Sequence, residues 1–186
     1  MDAVSAIVTR DPDPEPLLEA SARADVEIGL HLMVEEAPLD QQLAAFTRLF
    51  ARSPAYLDGH HHCHAADPRL SGVVARRAAA IGVPVRSVDS SHRQLLRGLG
   101  VMTADRLVGR LDESEPPVPD EIGALLTGAR FPGVTEWMVH PGHAGGPSSY
   151  DAGRERDLEE LLLLGDRAAW HGRGVVRAPF SRAGLR

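Results

Sequence analysis

Short apolar, β-branched runs alternate along this chain with stretches of helical spacing, and that alternation limits the fold more than any other feature. Residues 3–9, 26–32, 55–58, 83–88, 134–140 and 174–178 read as strands. Residues 16–24, 38–52, 67–81, 103–111, 120–127 and 150–170 read as helices. In the second of these, Leu39, Leu43, Phe46, Leu49 and Phe50 fall on one helical face. Residues 89–101 suit either a helix or a covering loop. Each crossover is long enough for a helix, which predicts parallel pairing in an α/β fold. With 186 residues, 43% of them hydrophobic, a single domain over 1–186 is expected.

Parallel α/β folds place their chemistry at the carboxyl ends of the strands. Three predicted strands here end on histidine, at His31, His60 and His140. The densest stretch is Tyr56-Leu57-Asp58-Gly59-His60-His61-His62-Cys63-His64, which holds four of the nine histidines and the single cysteine. Imidazoles buried without partners are costly, so such a cluster normally surrounds an ion or a polar ligand. Read as an extended segment, the stretch puts Asp58, His60, His62 and His64 on one face and His61 and Cys63 on the other. One carboxylate with several imidazoles suggests a metal-dependent hydrolytic centre. Against it stands the plainer reading of a solvated, tag-like histidine loop.

Several function classes are set aside by composition. A net charge of -6 argues against nucleic acid or an anionic membrane as the main partner. No apolar run is long enough to span a bilayer, and residues 1–10 lack the pattern of a signal peptide. One cysteine allows no intramolecular disulfide, so a cytoplasmic protein is expected.

Gly29-Leu30-His31-Leu32, then Leu57-Asp58-Gly59-His60-His61-His62-Cys63-His64, then Val139-His140-Pro141-Gly142 occur in an order that resembles the YdjC-like carbohydrate deacetylases, which include chito-oligosaccharide deacetylases. The helix around Arg154-Glu155 and its leucines also resembles that family. The resemblance implies a distorted (β/α) barrel, a divalent metal (Mg or Zn), and hydrolysis of N-acetyl groups from amino-sugar oligomers, a small-molecule N-acetylated sugar substrate. By position, His31 and His60 resemble the two imidazole ligands of the metal. His140 resembles the histidine at the active-site wall, an acid or oxyanion stabiliser, and Asp58 is the other candidate catalytic group. His62 and His64 would be substrate-facing or supporting groups. Arg86, at the end of the fourth strand, would contact substrate or balance a carboxylate.

Members of the family open with a strand ending in an Asp-Asp-Phe-Gly-like motif, which supplies a third ligand and a base. Residues 3–8 resemble the family's second strand, so a scaffold incomplete at its N-terminus is expected, with an unpaired sheet edge that could pair with a second copy. Two functional expectations follow: an active deacetylase, or a weak or non-catalytic sugar- or metal-binding remnant. A different amide or ester hydrolase on a related barrel is the third. Cys63 reads as a packing residue, Trp137 as core, and His92 and His171 as surface residues.

Overall fold

The computed structural model describes residues 2–10, 14–109, 133–145, 151–164 and 176–182. Asp2–Arg106 with Ala178–Arg186 make one compact unit, and Leu107–Arg177 with Met1 make the other.

The first unit is built on a parallel sheet in the order β1 (Ala3–Ala6), β2 (Glu27–Leu32), β3 (Leu57–Gly59). Helix α1 (Glu15–Ala22) links β1 to β2, and α2 (Leu39–Phe50) links β2 to β3. Strand side chains alternate between faces, and register partners share a face. Ala6, Ile28, Leu30, Leu32 and Leu57 therefore line one face. They join Leu43, Phe46 and Phe50 of α2 and Val74, Ala75 and Ala78 of the next helix in the buried core. Burying each large side chain contributes about 1.5–3 kcal/mol, and a one-residue slip would turn this whole set to the other face. The apolar pattern thus fixes the register, and with it the opposite, polar face.

Helix α3 (Pro68–Ile81) starts where Asp67 accepts the Arg69 N–H at 2.6 Å and ends at Gly82, which is left-handed at φ 72°. Residues 89–101 resolve as a helix, α4 (Ser90–Gly98), capped by Asp89 accepting the His92 N–H at 2.7 Å.

The strand expected at 83–88 is reduced to one parallel bridge, Leu57 to Val85. Leu57 N–H donates to Pro84 O and Arg86 N–H to Leu57 O, both at 3.0 Å, so the segment still lies beside β3. Among the described residues the helix expected at 103–111 is not formed, and residues 106–108 are a strand instead. Upstream, Met102 O accepts from Val85 N–H at 3.0 Å and Ala104 O from Ser87. Pairing with a neighbouring segment outweighs a weak helical pattern. A closed barrel is also not formed among the described residues: the three-stranded sheet is open, with β1 at its edge.

Strand β4 (Arg106–Val108), of which Leu107 and Val108 belong to the second unit, pairs with β5 (Thr135–Trp137), and Met138 N–H donates to Val108 O at 2.8 Å. Gly109 sits at φ 138° where a Cβ would overlap the Met138 carbonyl, so only glycine fits. Helix α5 spans Asp151–Leu164. Strand β5 is shorter than the expected 134–140, and Glu136 and Met138 are buried while Trp137 is half-buried. The helix expected at 120–127 lies outside the described residues, as do His171 and the start of the strand expected at 174–178.

Candidate functional site

The polar face of the three-stranded sheet gathers Ser5, Gly29, His31 and Asp58. Ser5 is the register partner of Gly29, and His31 of Asp58. Tyr56, two residues before Asp58, falls on the same side, and Arg86 lies across from Asp58 through the Leu57–Val85 bridge. The pleat alone therefore brings these groups together from four separate segments.

Asp58 is the hub. Its Oδ1 lies 2.9 Å from His31 Nδ1, and its Oδ2 accepts from Ser5 Oγ and from Arg86 Nη1, both at 2.8 Å. The carboxylate is 1% exposed. Burial by itself would raise its pKa, but the Arg86 charge and the bonds from His31 and Ser5 outweigh that and hold it well below the usual carboxylate range. Asp58 therefore stays ionised and fully engaged. It ties His31, Ser5 and Arg86 together from the sheet's polar face, receiving one bond on Oδ1 and two on Oδ2.

The extended alternation expected for residues 58–64 does not hold beyond Gly59. The chain turns into a short 3-10 helix, His60–Ala65, with His61 and His62 both left-handed at φ 45° and 57°. Two successive non-glycine residues there cost roughly 1–2 kcal/mol each. The turn folds the chain back against its own strand: a Cβ on Gly59 would lie 2.8 Å from His64 Nδ1. Hence the alternation that would have put His60, His62 and His64 on the Asp58 face is lost. His60 stays beside His31, ring centroids 5.6 Å apart, with His61 at 4.1 Å from His60. His62 is half-buried. His64 goes inside at 0% exposure and bonds Arg86 O through Nε2 at 3.0 Å. Burial pushes its imidazole down to about 4.

His92 is not on the surface as expected. It is 7% exposed, with its ring 5.4 Å from that of His64. Cys63 packs against β2, its thiol donating to Leu32 O at 3.2 Å, and burial raises its pKa, so it is no thiolate.

Sequence reasoning overlooked Ser5, Tyr56 and the rim pair Arg10–Glu36. Ser5 and Tyr56 carry no motif; only the register between β1 and β2 reveals them. At the rim, Arg10 Nε donates to Glu36 Oε1 at 3.0 Å and Thr9 to its other oxygen. The field of this pair reaches His60, whose pKa is lowered by burial first, then by His61, His31 and Arg10, with Glu36 opposing.

Donor chemistry tests whether these residues suit a divalent ion. With Asp58 taking the Nδ1–H, the His31 ring has Nε2 left as a bare acceptor, the arrangement that ligating histidines nearly always show. His60 is its neighbour. These two imidazoles fit one side of a metal site. Among the described residues, no group of three His, Cys, Asp or Glu converges to complete it.

His140 belongs to the second unit. Its backbone N–H donates to Asp157 Oδ2 at 2.7 Å, and Gly142 N–H to Arg154 O at 3.2 Å, which ties the His140-Pro141-Gly142 turn to α5.

Chitooligosaccharide deacetylases of Salmonella paratyphi B and Salmonella typhi are each 33% identical over 121 residues, covering 60% of this chain and 44% of those proteins. The chain thus matches less than half the length of these curated relatives. A crystal structure from Enterococcus faecalis V583, of a protein provisionally named for cellobiose-phosphate cleavage, superposes with a TM-score of 0.77 at 20% identity. That match covers 99% of this chain and 88% of the other, and shows a shared fold. Residues 30–169 match the family described as YdjC-like protein, and the chain belongs to that family.

Proposed function

We propose that this chain is a carbohydrate deacetylase that removes N-acetyl groups from amino-sugar oligosaccharides, on a barrel-like scaffold. The observation that carries the reading is the His31 imidazole, locked by a buried ionised carboxylate beside His60 at the carboxyl ends of parallel strands. The names of the Salmonella relatives support the substrate class. His31 and His60 would hold a divalent ion, Mg or Zn, together with a donor from outside the described residues. Bound there, the ion would supply Lewis-acid polarisation of the acetamide carbonyl and of a water.

The chain's own residues do the rest. Asp58 orients His31, and Arg86 neutralises Asp58 so that the hub carries no net excess charge. His62 and the Arg10–Glu36 rim would meet the sugar. Amide and water would then give free amine and acetate, the leaving nitrogen taking up a proton as the bond breaks.

A second reading, a sugar- or metal-binding remnant without catalysis, is favoured by one observation: the donor set is short of three among the described residues. Acetate release from N-acetylglucosamine oligomers in the presence of Mg or Zn separates the two. Turnover that disappears in His31→Ala supports the deacetylase. Saturable oligosaccharide or metal binding with no acetate supports the remnant.

A further inference from the structure

We infer that Tyr56 and Ser5 are positioning residues that act through Asp58 to fix which nitrogen His31 presents to its ligand. What that nitrogen does rests on the hydrolase reading above; the hydrogen-bond arrangement itself does not.

The directions of the bonds follow from donor chemistry. An ionised carboxylate only accepts, so Ser5 gives its one proton to Asp58 Oδ2 at 2.8 Å. Ser5 Oγ then has lone pairs only, and its 3.0 Å contact with the Tyr56 hydroxyl must have Tyr56 as donor. By the same logic His31 donates Nδ1–H to Asp58 Oδ1 at 2.9 Å. The relay runs one way, from Tyr56 through Ser5 to Asp58, and bonds in series polarise one another. Its outcome is a single tautomer of His31, with Nε2 bare.

Three features hold the Tyr56 hydroxyl on Ser5. Gly29, the register partner of Ser5, leaves the space that the Tyr56 ring fills, since a Cβ there would overlap the ring. Phe180 covers the ring, centroids 4.7 Å apart. Ser181 next to it is tied down by its N–H donating to Glu27 Oε2 at 2.8 Å and its hydroxyl to Oε1. A glycine, a covering aromatic and an anchored segment thus converge on one hydroxyl, from three separate parts of the first unit.

Long-range proton–nitrogen correlation spectra of the histidine rings in the full chain test this directly, in mildly alkaline buffer without added metal. Wild type and Ser5→Thr should show His31 as the Nδ1–H tautomer. Ser5→Ala and Tyr56→Phe should raise the Nε2–H form about fivefold, the shift that losing one net hydrogen bond gives. Thermal midpoints should stay within a few degrees, and the His92 signals should not move. An unchanged His31 tautomer ratio in both variants overturns the inference. If Ser5→Ala fails to fold, Tyr56→Phe decides alone, because it removes one oxygen from a ring that keeps its packing. A chain that releases no acetate yet shows the tautomer response refutes the deacetylase and leaves the relay standing.

Discussion

His31 and Asp58 are register partners on adjacent parallel strands, and their side chains meet on the polar face of the sheet at 2.9 Å. The apolar residues flanking each of them, Leu30, Leu32 and Leu57, are buried on the opposite face. Core packing and site geometry are therefore set by one register, and the consequences can be measured separately.

Asp58→Ala removes the buried counter-charge of the Arg86 guanidinium. We expect a loss of about 3–5 kcal/mol in urea denaturation, with much of it recovered when Arg86→Met is added. A loss below about 1 kcal/mol would mean that Asp58 is not the anchor described.

His64 links stability to pH. Burial holds its folded-state pKa near about 4, against 6.5 for an ordinary histidine side chain. As pH falls, the unfolded chain takes up the proton first, so the folded state is fully favoured above about 6.5 and loses ground between there and about 4. The total is about 3 kcal/mol at 1.36 kcal/mol per unit. His64→Gln should flatten this part of the stability–pH curve; an equally steep curve would place the titration elsewhere.

Gly29→Ala forces a methyl group into the Tyr56 ring. Overpacking of this kind costs about 1–3 kcal/mol. Tyr56→Ala removes the obstruction, so the double variant should be more stable than the sum of the two single losses implies. Strict additivity in a double-mutant cycle would show that the two residues do not press on each other.

The left-handed pair His61–His62 stores backbone strain. His61 is exposed, so His61→Gly should leave stability unchanged or raise it by up to about 1 kcal/mol. A marked loss in chemical denaturation would instead assign the His61 ring a structural bond.

Much of the first unit was legible in its sequence, because β1, β2, β3, α2 and α3 each follow one clear apolar period. The strand-end placement of His31 and His60 was legible for the same reason. What was not legible depended on contacts distant in sequence. The extended reading of residues 58–64 failed because Gly59 allows His64 to fold beneath its own strand, a fit that no local pattern encodes. The strand at 106–108 looked helical because its pairing with 135–137 lies far along the chain. Ser5 and Tyr56 were overlooked since a lone serine and a lone tyrosine mean nothing until the register of β1 against β2 is known. His92 was misread as a surface group because α4 turns it inward on the same face as Leu96, while Ser90 and Ser91 beside it stay exposed.

The site proposed at His31 and His60 is tested most directly by calorimetric titration of the purified chain with zinc, in wild type, His31→Ala, His60→Ala and His92→Ala. We predict one ion per chain in wild type and His92→Ala, and at least about tenfold weaker binding in both His31→Ala and His60→Ala. Binding of equal strength in all four proteins would contradict the assignment and move the ion to other residues.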